Sequence, residues 1–284
     1  MFGRFLILLL SVLPKHLLSR AAGALANAPV PRPLRPAVYR GYSRVFGASP
    51  EEAELALWEY PSINAFFTRT LKPGLRPVAP NAIVSPADAT VGAAGPVDDG
   101  TLVQAKGRDY SLSALLGDEA LAHRMDGGTF ATLYLAPKDY HRLHVPADGT
   151  ITAATYIPGE LWPVNVHAVT HVADLFAVNE RIVVMLERPG GGVMVVVLVG
   201  ATMVGMTRLA FDASVHTNAR RREVQRRSYA LPVRAGDPLG HFEFGSTIIM
   251  VCSRDGGALD PLEVGRTVRM GERIGRLNPA SGRP

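Results

Sequence analysis

A Gly-Ser-Thr step at residues 245–247 is the part of this sequence whose residue types are best suited to chemistry. It lies between the apolar side chains of Phe242 and Phe244 and the β-branched run 248–251, which predicts a tight break that leads into a buried strand. Ser246 could attack a bound substrate, as in a serine hydrolase. It could also attack the Gly245 carbonyl of its own chain, which is sterically bare because glycine has no side chain. A plain turn is the third interpretation of so short a motif.

An acid and a base that could activate this serine occur at other predicted strand boundaries. Asp88, His144 and Ser246 form a set in which a buried carboxylate would orient the imidazole and the imidazole would remove the serine proton. By pattern alone Asp148 is an equally good carboxylate, because it occupies the same place in a repeated segment. His141 and His144, three residues apart, are too few for a metal site, so no metal is expected.

The composition limits the classes of protein that need to be considered. The 284 residues are 47% hydrophobic and 19% charged, which excludes wholesale disorder. The single cysteine, Cys252, excludes an intrachain disulfide and a multi-cysteine metal site. With 28 Gly and 22 Pro the chain favours many short strands over long helices. Its net charge of +5 is compatible with an anionic membrane surface or with nucleic acid.

The N-terminal region is predicted to associate with a membrane surface. The apolar run 5–13 is too short to cross a bilayer. Residues 1–28 therefore predict a pair of short interfacial helices, with Lys15 and Arg20 at the lipid headgroups. A secretory signal cleaved near residues 24–26 is the alternative. A proline-rich connector over 29–36 and helices over 49–60 and 62–69 follow.

From residue 83 onward the pattern predicts strands, and two sequence echoes indicate how they are organised. The echoes match 86–91 with 146–151 and 233–240 with 268–275. Glycines at their turns suit a positive φ angle. We therefore expect an α+β, mainly β fold, with short N-terminal helices followed by a compact two-sheet antiparallel β core containing duplicated hairpins. The predicted strands cover 101–105, 130–135, 150–156, 181–186, 193–198, 202–209, 247–251 and 267–277.

The arginine-rich run 220–227 is either a solvated loop or a surface that attracts anionic lipid. It contains no interleaved aromatic residues and no nucleic-acid motif occurs elsewhere, so no nucleic-acid partner is expected.

Taken together, ordered motifs along nearly the whole chain resemble the prokaryotic-type phosphatidylserine decarboxylases. They are Leu13-Pro14-Lys15, Phe66-Phe67-Thr68-Arg69, Ser85-Pro86-Ala87-Asp88, Asp139-Tyr140-His141-Arg142-Leu143-His144, Leu175-Phe176-Ala177-Val178-Asn179-Glu180-Arg181, Val199-Gly200-Ala201-Thr202 and Phe244-Gly245-Ser246-Thr247. Phe244 stands where many members of the family carry leucine, which exchanges one apolar residue for another, and we expect processing to survive it.

The resemblance implies that Ser246 attacks the Gly245 carbonyl and that the chain splits there. Elimination would leave dehydroalanine, which would become an N-terminal pyruvoyl group at residue 246, the only cofactor implied. Asp88 and His144 match the family's charge-relay acid and base for this step, which favours Asp88 over Asp148. The implied domains are membrane-associating residues 1–28 and a catalytic domain over 29–284, cleaved into a beta chain (1–245) and an alpha chain (246–284).

The implied reaction converts phosphatidylserine to phosphatidylethanolamine and CO2 through a Schiff base with the pyruvoyl group. His141 or His144 is the expected proton donor or carboxylate contact. The expected partners are the substrate lipid, the anionic membrane surface, the second self-cleaved chain and a second processed protomer in a dimer. The expected location is the cytoplasmic side of the cell membrane, as a peripheral protein. The alternatives are a membrane-associated serine hydrolase that uses Asp88, His144 and Ser246, and a non-enzymatic β module.

Overall fold

The structure is a computed structural model that describes residues 15–104, 108–164, 171–202, 206–218, 221–243 and 246–278, with only the backbone of residues 103, 104, 108, 109 and 246. Its helices are α1 (Lys15–Asn27), α2 (Arg35–Phe46), α3 (Ile63–Phe67), α4 (Leu112–Leu116), α5 (Glu119–Met125) and α6 (Leu175–Val178). Its strands are β1 (Ala82–Val84), β2 (Ala89–Asp98), β3 (Thr101–Gln104), β4 (Arg108–Ser111), β5 (Thr129–Leu135), β6 (Arg142–His144), β7 (Gly149–Ile157), β8 (Arg181–Glu187), β9 (Val193–Val199), β10 (Met206–Leu209), β11 (Gln225–Val233), β12 (Pro238–Glu243), β13 (Ser246–Cys252), β14 (Ala258–Leu259), β15 (Thr267–Val268) and β16 (Arg273–Arg276).

The predicted α+β, mainly β fold is confirmed, although the number of sheets differs from the prediction. In the described part of the chain the strands form a ten-stranded antiparallel sheet and two three-stranded sheets, not two sheets. The large sheet runs β11-β7-β8-β9-β13-β5-β2-β3-β4, with β15 also against β2. The small sheets are β1-β16-β14 and β10-β12-β6. There are two small sheets because the fold consists of two similar halves and each half contributes one small sheet.

The sequence echoes mark this duplication. The strand order β11-β7-β8-β9 on one side of the large sheet corresponds to β15-β2-β5-β13 on the other. At the crossing of the two halves, the Val84 amide donates to the Pro146 carbonyl (2.9 Å) and the His144 amide donates to the Pro86 carbonyl (2.8 Å). The two bonds are equivalent in the repeat, because residues 84 and 86 correspond to 144 and 146. His144 is therefore fixed against the segment that leads to Asp88.

Two cores lie on opposite faces of the large sheet because side chains alternate along each strand. Ile248 and Met250 of β13 pack on the face shared with the small sheets, whereas Ile249 and Val251 pack on the face covered by α4, α5 and α6. β13 is buried on both faces and pairs with β5 on one edge and β9 on the other. It is thus a central strand, as the continuous apolar run predicts.

The N-terminal region differs from the prediction at the connector and at the 49–60 helix. The 29–36 connector is shorter than expected, since a 3-10 turn forms at Arg32–Leu34 and α2 begins at Arg35. Proline is tolerated there because the first turn of a helix has no partner for its N–H groups. The predicted 49–60 helix is limited to a 3-10 turn, Pro50–Glu52. The 62–69 helix is present as α3, capped by Ser62.

Tertiary contacts explain why the 49–60 segment is not a helix. Ala53 and Tyr60 are drawn into a cluster with Tyr39 and Phe66, and the Tyr39 hydroxyl donates to the Tyr60 carbonyl at 2.7 Å. The burial of these side chains outweighs a weak local helix preference.

α1 is the second of the two helices predicted for residues 1–28; residues 1–14 lie outside the described residues. Lys15 does not meet lipid headgroups: its Nζ lies 3.1 Å from Glu160 Oε2 and 4.2 Å from the centre of the Trp162 ring. Asn64 Nδ2 also donates to Asn27 Oδ1 at 3.0 Å, so both ends of α1 are tied to the rest of the protein. Among the described helices, none is long and apolar enough to cross a membrane.

Candidate active site

Ser246 begins β13 at the point where the chain leaves a small sheet and enters the large one. β12 ends at Glu243 in the small sheet, and Ser246 pairs with Leu135 at the end of β5. The predicted cleavage residue Gly245 and its neighbour Phe244 lie outside the described residues, as does the Ser246 side chain. The backbone thus places the serine at a junction between two rigid elements.

The loop after Leu135 leads directly to the histidines. It forms a turn in which the Asp139 carboxylate accepts from the Ala136 amide at 2.7 Å, and it continues into β6, which ends at His144. Leu135 is the pairing partner of Ser246, and the His144 amide donates to the Pro86 carbonyl, three residues before β2 begins beside the end of β5. Both ends of this short connection therefore lie at the end of the large sheet where β13 begins.

His144 is held as a neutral base. Its Nδ1 lies 2.7 Å from the Gly236 carbonyl, which can only accept, so Nδ1 carries the proton. Nε2 is therefore the basic nitrogen, and it accepts from the Tyr140 hydroxyl at 3.2 Å. Burial lowers the pKa of His144 although the Gly236 carbonyl acts in the opposite direction, so the unprotonated form is favoured near pH 7.

Gly236 can hold the imidazole because of its backbone conformation. Its φ is +89°, in the left-handed region that glycine adopts without strain, as the echo predicts. A Cβ at this position would also lie 2.7 Å from Val78 Cγ2. The echoed Gly271 has a φ of +82°.

Asp88 is engaged with Arg76 rather than with His144. Its carboxylate accepts from Arg76 Nε at 2.9 and 3.1 Å and from Arg76 Nη2 at 2.6 Å, and it also accepts from the Met270 amide at 2.9 Å. Arg76 Nη2 also donates to Glu52 at 2.8 Å. No hydrogen bond joins Asp88 to His144 in the described part of the chain. The charge of Asp88 nevertheless acts on His144, since it opposes the lowering of the histidine pKa by burial.

Asp148 is the counterpart of Asp88 in the other half of the fold. Its carboxylate accepts from the Ala235 amide at 2.8 Å, as that of Asp88 does from the equivalent Met270 amide. The charge of Asp88 is among the main influences on the pKa of His144, which it raises. Of the two carboxylates that the sequence pattern could not separate, Asp88 therefore has an identified influence on the base.

His141 is completely buried, and within the described part of the chain only one of its ring nitrogens has a hydrogen-bond partner. Nδ1–H donates to the Asp139 carbonyl at 2.8 Å, and the ring lies 4.0 Å from that of Phe67, centre to centre. Nε2 has no hydrogen-bond partner among the described residues. Burial lowers the pKa of His141 to about 3, so the ring is neutral. A buried, unpartnered acceptor is costly unless a ligand uses it.

Three residues of the site had no assigned role in the sequence analysis. Arg76 fixes Asp88, Tyr140 bonds to His144, and burial raises the pKa of the Asp139 carboxyl to about 6. Asp139 and Tyr140 belong to the sequence motif that ends at His144, and their place in that motif is the feature from which a role at the site could have been predicted. Over the described residues no three His, Cys, Asp or Glu side chains are close enough to hold a metal ion.

A neutral, oriented imidazole at the same end of the sheet as a strand-initiating serine is typical of enzymes that activate a hydroxyl group. The family model described as phosphatidylserine decarboxylase matches residues 63–276. A phosphatidylserine decarboxylase proenzyme from Anaeromyxobacter sp. (strain K) is 48% identical, over 97% of this chain and 99% of the relative. Proenzymes of the same name from Myxococcus xanthus (strain DK1622) and Shewanella sp. (strain ANA-3) are 43% and 42% identical, over 94% and 95% of this chain and 96% of each relative.

The chain belongs to the phosphatidylserine decarboxylase family. The resemblance found from the sequence and the assignment of an enzyme are both confirmed. The alternative of a non-enzymatic β module is therefore wrong.

Proposed function

We propose that this protein decarboxylates phosphatidylserine to phosphatidylethanolamine and CO2, using a pyruvoyl group that it makes from its own Ser246. The observation that carries the proposal is the neutral His144, oriented by the Gly236 carbonyl, at the end of the sheet where β13 begins with Ser246. The word proenzyme in the names of the relatives supports a precursor that is processed.

Self-cleavage needs a base for the serine hydroxyl, and His144 Nε2 is that base in our proposal. The Ser246 oxygen attacks the Gly245 carbonyl carbon while Nε2 accepts the hydroxyl proton. The peptide C–N bond then breaks, which leaves an ester and a free amino group on residue 246. Loss of the α-proton expels the Gly245 carboxylate and leaves a dehydroalanine, and water then replaces its nitrogen, which departs as ammonia.

The strand pairing supports a stable two-chain product. The fragment 246–284 contains β13, which pairs with β5 and β9 of the fragment 1–245. β15 and β16 of the same fragment pair with β2 and β1. Cutting the 245–246 bond therefore removes none of the hydrogen bonds that hold the two chains together. A dimer of such processed protomers stays a prediction, which sedimentation velocity of the processed enzyme would test.

The site has features that fit a ketone at residue 246. When present, the pyruvoyl group supplies an electron sink for loss of the substrate carboxylate. The buried Nε2 of His141 has no hydrogen-bond partner among the described residues. His141 is also close to residue 246 in the fold, since the Phe242 amide, four residues before Ser246, donates to the His141 carbonyl at 3.0 Å.

The tautomer of His141 refines its proposed part in turnover. Because Nδ1 carries the proton, Nε2 can accept a hydrogen bond or a proton but has none to donate. We therefore propose that His141 returns a proton only after it has taken one, and that it does not itself donate to the substrate carboxylate. To separate turnover from processing, a 1–245 chain that carries His141→Ala is refolded with the processed 246–284 chain. We expect this variant to have lower turnover than the wild-type pair of chains. Unchanged turnover would show that His141 takes no part in the reaction.

The serine hydrolase alternative is less well supported. Its triad needs a carboxylate bonded to His144, but His144 Nδ1 bonds to the Gly236 carbonyl and Asp88 is bonded to Arg76. A fluorophosphonate probe distinguishes the two functions, because only a hydrolase retains a reactive Ser246 in an unbroken chain.

We also propose a peripheral location on the cytoplasmic side of the cell membrane. α1 supports it by exposing Leu17 (56%), Leu18 (40%) and Leu25 (75%), an apolar surface that an interfacial helix would bury in lipid. Residues 24–26, the alternative signal cleavage point, lie within α1, which is tied to the core at both ends. Cosedimentation of the full chain with vesicles tests the association.

A further inference from the structure

A cavity of about 640 Å³ lies between α1 and the segment that precedes β11. His16 and Arg20 of α1 line one side, and Arg221 and Arg222 line the other. Its lining includes neither Asp88 nor either histidine of the candidate active site. The cavity is therefore a separate place on the molecule, and its lining contains three arginines, one histidine and two glutamates.

The deepest acid in this cavity is already satisfied from within the protein. Glu180 is 1% exposed, and each of its carboxylate oxygens accepts from the Asn218 amide at 2.8 Å. One oxygen also accepts from the Tyr156 hydroxyl at 2.6 Å. The other acid of the lining, Glu160, is paired with Lys15.

The arginines, in contrast, have no acidic partner within the part of the chain that the structure describes. Arg221 donates to the Gln225 amide oxygen at 2.6 Å and to the Ser214 carbonyl at 3.0 Å, and both acceptors are neutral. Over the described residues, Arg20 and Arg222 have neither a hydrogen-bond nor an ion-pair partner. Three guanidinium groups thus line one cavity, and among the described residues none of them forms an ion pair with the two glutamates of that lining. Such unpaired guanidinium groups suit an anion with several oxygen atoms.

The position of Arg20 on α1 links this cavity to the lipid surface. Arg20 is four residues after His16 and lies on the same side of the helix, next to the side that exposes Leu17 and Leu25. A half-buried arginine at the border of an apolar face places its charged end at headgroup depth when that face enters lipid. The ligand that matches both features has a phosphate diester attached to acyl chains.

We propose that this cavity binds the phosphate of an anionic glycerophospholipid and so fixes α1 and the catalytic domain together on the membrane surface. The proposal rests on the membrane association proposed above for α1, and its test does not depend on the decarboxylation reaction. Inorganic phosphate shares the recognised chemistry, so the experiment includes it as a separate arm.

The test measures binding of the purified full chain to phosphatidylcholine vesicles containing about 30% phosphatidylglycerol, which provides an anionic phosphate diester without any substrate. The variants are Arg20→Gln/Arg222→Gln, which removes two charges, and Arg20→Lys/Arg222→Lys, which keeps them. Arg234→Gln/Arg254→Gln is the matched control, because both arginines are exposed and lie outside this cavity. An unchanged thermal unfolding midpoint shows that each variant is folded.

We expect the Gln pair to weaken vesicle binding about 30-fold, the Lys pair at least about fivefold, and the control less than about twofold. Wild-type binding by the Gln pair would overturn the site. If the Lys variant bound as tightly as the wild type while the Gln variant did not, the site would also be overturned, because the attraction would then be a diffuse charge effect. Displacement from vesicles by inorganic phosphate at constant ionic strength would identify a free-phosphate site and contradict the lipid assignment.

Discussion

The contact between Arg76 and Asp88 provides a quantitative test of the site geometry. The side chains are 7% and 11% exposed, and Arg76 also holds Glu52, which is 24% exposed. Replacing Arg76 by Met would leave two carboxylates without their shared cation. Burial alone lowers the pKa of Arg76, but the hydrogen bonds to the two acids raise it above its usual range. The arginine therefore stays charged and stabilises both carboxylates.

Removing one partner of a buried ion pair costs about 3–5 kcal/mol, because the remaining charge stays desolvated. We therefore expect Arg76→Met to lower the free energy of unfolding by about 3–5 kcal/mol. Adding Asp88→Asn removes the stranded charge, and its amide oxygen can still accept from the Met270 amide. The double variant should therefore be about 1–2 kcal/mol more stable than Arg76→Met alone.

The assay is urea unfolding followed by tryptophan fluorescence, in a Ser246→Ala background so that every sample is a single chain. Arg273→Met is the matched control: Arg273 lies 3.5 Å from Asp260 in an exposed pair (52% and 27%), and its loss should cost less than about 1 kcal/mol. A loss below about 1 kcal/mol for Arg76→Met, or a double variant less stable than the single one, would refute the reasoning.

Three further predictions concern the base, a buried acid and the sheet. His144→Ala should slow appearance of the two fragments by about 10²- to 10⁴-fold, the usual contribution of a positioned base; gel electrophoresis over time checks this, and wild-type kinetics would contradict it. The pKa of Asp139 is raised to about 6 in the folded state, so its contribution to stability is present at low pH and is lost as the pH rises from about 4 to 6. As the pH rises through that window, the free energy of unfolding of Asp139→Asn should increase by about 1–3 kcal/mol relative to that of the wild type, after allowance for solvent screening. Urea unfolding at several pH values checks this, and a difference between the two proteins that does not change with pH would contradict it. Gly240→Ala would drive a Cβ into the Arg208 carbonyl between β12 and β10, and should cost about 2–4 kcal/mol in thermal unfolding, whereas an unchanged midpoint would show that the strands separate freely.

The strand pattern and the echoes could be interpreted from the sequence because both are local. Continuous β-branched runs predict buried strands, and β8, β9 and β13 are such strands. Glycine at a repeated turn predicts a positive φ, which Gly236 and Gly271 adopt. The echoes also related Asp88 to Asp148, and these two side chains make the same backbone contact.

Contacts between residues that are far apart in the sequence could not be predicted from local sequence patterns. Lys15 was expected at a lipid surface, but Glu160 and Trp162, about 145 residues away in sequence, cover it. The pairing of Asp88 with Arg76 instead of His144 is another such case, because a strand boundary fixes where a side chain starts and not what it meets. The 49–60 helix failed for the same reason, since its residues are used in an aromatic cluster.

The proposed function depends on self-cleavage of the chain between Gly245 and Ser246. This cleavage can be detected by intact mass measurement of the purified protein under denaturing conditions, beside Ser246→Ala. We expect two fragments, 1–245 and 246–284, with the smaller one blocked to N-terminal sequencing by a ketone, and a single chain for the variant. A single full-length chain in the wild-type protein would contradict it.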